Sequence, residues 1–281
     1  LLPLPATPPE RPISSLRNDP GTGDDLGLYW NFYHAVAAAQ LQRWLPKRRA
    51  RVLDVSGGRT MTAARAAAAG HTVVEVLAAA PGAGGGARRA AAPRPPGRPY
   101  RTGRERAGRA GTVHRVIGDP SSLGFLADAC MDAVIAEDRM LSRHLAAETT
   151  VGELARVLRP GGRMLLSVDS LMLGMAILAE QNYWAHLSDV PRAEVVLVPW
   201  PDGTITRCFW SDQLRELLTE AGLEVEWIRP RTVLSPSTVE HVLTADEHAL
   251  GRLVRTELTA LVTDESVGIH LVASAIRSER R

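Results

Sequence analysis

Apolar side chains recur along the chain in two rhythms, short continuous runs and helical spacings, and the two alternate. Val52 to Val55, Thr72 to Leu77, Thr112 to Ile117, Asp132 to Ala136 and Arg163 to Val168 are short apolar runs that predict strands. Between them, Thr60 to Ala69 (closed by Gly70), Leu123 to Ala129 and Glu148 to Leu158 predict helices. Upstream, Leu26 to Leu45 predicts a helix with Tyr29, Phe32, Tyr33, Val36 and Trp44 near one face, stopped by Pro46. A helix joining two buried strands implies a right-handed crossover and a parallel sheet. Strand and helix alternate through residue 168, so the expected class is α/β with a doubly wound sheet.

Beyond that point the rhythm changes. Leu171 to Asp189 is an apolar helical insert. Glu194 to Val198 and Thr204 to Phe209 flank Pro199-Trp200-Pro201-Asp202-Gly203, whose Asp-Gly pair signals a hairpin. Ser211 is expected to cap a helix over Asp212 to Ala221, closed by Gly222. A strand over Leu223 to Ile228, a helical stretch over Ser237 to Leu261 and a last strand over Ile269 to Ile276 would complete seven strands with an antiparallel edge. The expected organisation is a flexible Pro-rich tail over 1–25 and one domain over 26–281, with a substrate-side insert over 171–210.

Composition alters this picture in one place. The chain has 281 residues, 45% of them hydrophobic, enough for one large core. Segment 78–111 breaks the alternation, with eight Gly, five Pro, eight Arg and one Glu, and is expected to be a flexible loop. It carries +7, which at a net charge of +2 leaves −5 for the remainder. A body of that sign does not favour nucleic acid as partner, and any such case rests on this segment. No apolar run is long enough for a membrane span, and the Pro-rich start lacks a basic leader region. Cys130 and Cys208 are the only cysteines, which offers neither zinc spacing nor a disulfide framework and suggests a reducing, cytoplasmic setting.

In a doubly wound sheet, ligands sit beyond the carboxyl ends of the strands. Those ends carry Asp54, Leu77, Asp119, Glu137-Asp138 and Asp169-Ser170, acidic in all but one case. Acidic ends suit a cationic or hydroxyl-rich ligand better than a phosphate. After the first strand comes Asp54-Val55-Ser56-Gly57-Gly58, where glycine lets a backbone approach a ligand. The spacing does not fit the Gly-x-Gly-x-x-Gly dinucleotide fingerprint, which disfavours an NAD or nucleotide-sugar enzyme. Tyr29 and Tyr33 are candidates to cover the pocket. Glu137, Asp138, His144 and His186 are candidate bases, with His270 read as a packed strand residue. Tyr183 and Trp184 could wall a substrate site, and Arg139 or Arg143 could pair with an acidic substrate. No carboxylate cluster suggests a metal.

With these residues in hand, the chain resembles the class I S-adenosylmethionine (SAM)-dependent methyltransferases over roughly Tyr29 to Ile276. The residues that carry the resemblance are Asp54 to Gly58, Gly118-Asp119, Asp132-Ala133-Val134-Ile135 and, above all, Leu158-Arg159-Pro160-Gly161-Gly162 before the fifth strand. The resemblance implies a Rossmann-like, seven-stranded sheet and SAM as cofactor. It implies that Asp54, Ser56, Gly57 and Gly58 surround the amino-acid part of SAM, that Asp119 reads the adenine amine, and that Glu137 and Asp138 lie beside the methyl group. The chain departs from the family pattern where Ser56 and Thr60 replace loop glycines and Leu77 replaces the acid expected at the ribose, leaving Glu75 as the nearest carboxylate. The expected function is methylation of a small molecule. The alternatives are a methyltransferase-fold protein with a binding role and weak or no SAM affinity, and, from a looser likeness of the C-terminal half, a tRNA carboxyl-methyltransferase.

Overall fold

A computed structural model describes residues 26–58, 60–78, 110–200, 202–260 and 268–279. The tail over 1–25 and nearly all of segment 78–111 lie outside the described residues. The chain opens with α1 (Gly27–Trp44) and continues through β1 (Arg51–Asp54), α2 (Thr62–Ala68), β2 (Thr72–Leu77), β3 (Thr112–Ile117), β4 (Met131–Ala136), α3 (Met140–Arg143), α4 (Ala147–Val157) and β5 (Leu158–Ser170). Then come α5 (Leu171–Glu180), α6 (Trp184–Asp189), β6 (Val196–Pro199), β7 (Ile205–Phe209), α7 (Ser211–Glu220), β8 (Leu223–Pro230), α8 (Pro236–Ala245), α9 (Leu250–Thr259) and β9 (His270–Arg277).

The central strands run in the order β3-β2-β1-β4-β5-β9-β8, parallel except for β9, which is antiparallel to both neighbours. β1 and β4 are buried on both faces, as an α/β sheet with helices on each side requires. On one face, α4 and α7 press Val151, Leu154, Leu214 and Leu218 onto the sheet. On the other, α1 and α2 contribute Leu41, Trp44, Ala63 and Ala66. α8 and α9 pack on α1, against Tyr29, Trp30 and Phe32.

Three local outcomes differ from the sequence expectation. The antiparallel strand lies one place in from the edge, where most of β9 is fully buried, and β8 forms the edge. Residues 123–129 form turns rather than a helix: the Leu123 carbonyl accepts from the Leu126 amide at 2.8 Å, and the Arg156 guanidinium braces the Leu123 and Leu126 carbonyls, each at 3.0 Å. β5 begins at Leu158 and runs through Pro160-Gly161-Gly162, ahead of the Arg163 start that the apolar run predicts. Its last residues gain a new parallel neighbour, Asp169 opposite Cys208 in β7, so the β6–β7 hairpin extends the sheet to nine strands. α5 lies tight over that hairpin at Gly174, where a Cβ would stand 2.8 Å from the Cys208 sulfur.

Candidate functional site

One face of α1, the start of α2 and the carboxyl end of β4 line a cavity of about 240 Å³. Its walls are Tyr33 and His34 of α1, Thr60, Met61, Thr62 and Arg65 around the start of α2, and Glu137 and Asp138 after β4. The buried strand β4 thus delivers Glu137 and Asp138 to the opening, while Asp54 at the end of β1 stays buried behind the wall.

The loop after β1 is fixed by its own polar groups. Asp54 is buried and accepts from the Ser56 amide at 2.9 Å and from the Thr62 hydroxyl. Burial raises its pKa, opposed by the bonds from Ser56 and Thr62. The Ser56 hydroxyl accepts from the Glu137 amide at 3.0 Å and so joins the loop to β4. The serine that replaces the expected glycine is thus a strut between two strand ends. Gly57 and Gly58 take φ of +82 and +74, the left-handed region that favours glycine.

After β4 the backbone turns sharply, with Asp138 at φ +58 and Arg139 at φ +53. Two successive non-glycine residues in this region cost of order 1–3 kcal/mol each, which places stored strain beside the cavity. The turn sends neighbouring side chains in different directions. Asp138 faces the cavity and pairs with Arg143 at 3.0 Å. Arg139 turns inward to Asp169, at 3.5 Å. Both arginines considered for an acidic substrate are thus committed to carboxylates of the chain itself.

Glu137 is buried and bound by Arg231, which is itself fully buried. Arg231 follows β8; it also donates to the Gln40 side chain of α1, while its carbonyl accepts from that amide at 3.4 Å. One guanidinium therefore ties α1, β4 and the end of β8 together. The Tyr33 ring lies 5.9 Å from it, and burial pushes the Tyr33 hydroxyl up to about 12, with Arg231 acting in the opposite sense.

The other end of the crevice, beyond β2 and β3, is built differently. A Cβ on Gly58 would meet the Leu77 side chain at 2.5 Å, so Leu77 lies directly against the glycine loop. Glu75 stands opposite Asp54 in register and is bound by Arg115 at 2.8 Å. Asp119 is exposed and accepts from the Ser121 amide and hydroxyl at 2.8 and 2.7 Å; the amide bond foremost holds its carboxyl below the usual range.

The structure thus gathers Tyr33, Thr62, Glu137 and Asp138 around one cavity, with Asp54, Ser56, Gly57 and Gly58 shaping its loop. Tyr29 corrects the expectation. It is buried under α8 and α9, its hydroxyl 3.1 Å from that of Thr232, one helical turn before Tyr33 on the same side of α1. Tyr183, Trp184 and His186 are exposed on α6 and its approach, outside the cavity wall. Arg231, Gln40 and Thr62 carried no sequence signal. Arg231 sits just after a strand, where arginine ordinarily reads as surface. Among the described residues, no group of three or more His, Cys, Asp or Glu could hold a metal ion. No helix among them is long and apolar enough to cross a membrane.

This topology and the placement of the crevice define the fold as that of the class I SAM-dependent methyltransferases. No family model matches the chain, and no curated protein shows significant similarity to it. Solved structures do match. A SAM-dependent methyltransferase of Methanosarcina mazei is 15% identical at a TM-score of 0.53, covering 86% of this chain and 98% of its own. The Burkholderia thailandensis 1,6-didemethyltoxoflavin-N1-methyltransferase, solved with 1,6-didemethyltoxoflavin and S-adenosylhomocysteine, is 20% identical at a TM-score of 0.50, covering 97% and 93%.

Proposed function

We propose that the chain binds SAM in the crevice beyond β1 and β4 and transfers its methyl group to a small molecule. The observation that carries this reading is the acid-lined cavity between α1 and the first loop, with one Glu137 oxygen buried and without a hydrogen bond. An unpaired buried carboxylate oxygen suits an ammonium donor. Arg65, also on the wall, suits the carboxylate that accompanies that ammonium in an amino acid. The methionine end of SAM therefore fits the residues present. The bound cofactor would supply an electrophilic methyl group on sulfur. The work left to the chain is positioning, through α1 and the Ser56 strut, and acceptance of a proton, for which Asp138 is the carboxylate nearest the opening.

The ribose end supports a second reading, in which the fold binds a ligand without methylating. Leu77 stands where ribose hydroxyls would need an acceptor, and Glu75 is engaged by Arg115. Leaving such hydroxyls unpaired costs about 1–3 kcal/mol, one to two decades of affinity. Calorimetric titration with SAM and S-adenosylhomocysteine separates the readings. Methyl transfer requires saturable heat from both; no heat at about 1 mM, where only some 4 kcal/mol of binding free energy is needed, sinks it.

A further inference from the structure

The β6–β7 hairpin that widens the sheet is covered on one face only. Side chains alternate along its strands, so Val196, Val198 and Cys208 point to one side and Leu197, Ile205 and Arg207 to the other. The first set is buried against Leu173 and Ile177 of α5. On the second side Leu197 and Ile205 are 43% and 48% exposed. Val195, just ahead of β6, is 45% exposed and shares a cleft wall with Arg207, so it joins that side. The register sets Leu197 opposite Arg207 and Ile205 opposite Pro199, which makes Leu197 and Ile205 diagonal neighbours. An antiparallel pair that faces water on one side ordinarily carries polar residues there, and this one carries Val, Leu and Ile. Contiguous exposed apolar side chains, unlike scattered ones, mark an interaction surface.

Through Val195 and Arg207 this face runs into an open cleft of about 450 Å³ beside α7, walled by Glu148, Glu194, Glu216 and Glu220. Arg207 is buried over the Phe209 ring and engages Glu148 at 2.6 Å. Among the described residues, the other three carboxylates take part in no ion pair. These charges choose among occupants. A second copy would bring its own glutamates towards these, and nucleic acid or an anionic lipid its phosphates, so like charge opposes all three. A further strand is discouraged because Pro199, at the end of edge strand β6, has no N–H to donate. A helix with a stripe of leucine-like side chains and lysine or arginine beside it matches both features, the apolar trio meeting the stripe and the free carboxylates the cations.

We propose that the face formed by Val195, Leu197 and Ile205, with Glu194, Glu216 and Glu220 beside it, docks a basic amphipathic helix of a partner protein. The inference does not rest on the methyl-transfer reading, since none of these residues lines the cavity between α1 and α2.

The test is fluorescence anisotropy of the full chain with a labelled peptide of two repeats of Leu-Lys-Lys-Leu-Leu-Lys-Leu, and with a copy carrying Glu in place of Lys. The lysine peptide should bind saturably, and the glutamate peptide at least about tenfold more weakly. Leu197→Asp should weaken the lysine peptide at least about tenfold. Glu216→Gln with Glu220→Gln should weaken it several-fold and make binding less sensitive to salt. Glu247→Gln, at an exposed carboxylate outside the cleft, should change nothing. All these side chains are exposed, so Tm should stay nearly constant and report that each variant is folded. Absence of saturable binding, equal binding of the two peptides, or indifference to Leu197→Asp overturns the proposal. So does a dimer in sedimentation that Leu197→Asp dissolves, which gives the face to a second copy. Tighter binding of a peptide of residues 84–109 also overturns it, and gives the face to the chain's own arginine-rich segment.

Discussion

Two glutamates stand at opposite ends of one crevice, each bound by an arginine, in very different surroundings. Glu137 is held by Arg231, whose side chain is 1% exposed; Glu75 is held by Arg115, whose side chain is 67% exposed. The first pair is part of the core and anchors α1 and the end of β8 to β4. The second lies at the outer side of the sheet, where water competes for the guanidinium. The two glutamates are equally buried, so the contrast lies in the arginines: one joins three elements inside the core, the other reaches in from solvent on the edge. It also separates the acid-lined cavity, where we place the methionine end of SAM, from the outer end, where Leu77 lies against the glycine loop.

The largest expected effect breaks the buried pair. Arg231→Ala leaves Glu137 buried without a counter-charge and should cost about 3–5 kcal/mol in urea unfolding, whereas Arg115→Ala, which opens Glu75 to water by removing an exposed side chain, should cost less than half as much. Equal costs would erase the distinction. A pH series probes the same side. The pKa of buried His270 is depressed, so below the ordinary histidine value near 6.5 the unfolded chain binds a proton that the folded chain refuses. Its contribution to stability is therefore lost as pH falls below about 6.5, by up to about 1.4 kcal/mol per pH unit. Burial raises the pKa of Asp54 and Asp169, which act in the opposite sense, so the comparison is with His270→Phe, in which that part of the slope should vanish.

Smaller effects sharpen the loop and the ribose end. Asp54→Ala removes the acceptor for Ser56 and Thr62 and should weaken S-adenosylhomocysteine at least about tenfold, through the loop rather than through direct contact. Retained affinity would show that the loop holds its shape without the staple. Gly58→Ala should cost about 1–2 kcal/mol, the left-handed backbone strain remaining when Leu77→Ala relieves the clash. Leu77→Asp should strengthen S-adenosylhomocysteine by about tenfold, since it gives the ribose hydroxyls an acceptor. A loss of affinity would mean that Leu77 packs the loop in a way the acid cannot replace.

Much of the scaffold was legible because its signals are local. The strands β1 to β4 follow from short apolar runs, α1 from its aromatic spacing and Pro46, and the hairpin from Asp202-Gly203. Residues 123–129 misled because a distant arginine braces their turns, which no local pattern records. Tyr29 and Tyr33 are four residues apart on α1, and only the packing of α8 and α9 decides that one is sealed and the other meets the cavity.

By itself, the sequence determined that strands alternate with helices and that acids crown the strand ends, because strand burial and turn chemistry are read over a few neighbouring residues. Only the tertiary structure decided which acids remain open to a ligand. That depends on partners such as Arg231 for Glu137, Arg115 for Glu75 and His270 for Asp169, which lie tens of residues away and meet only when the sheet closes.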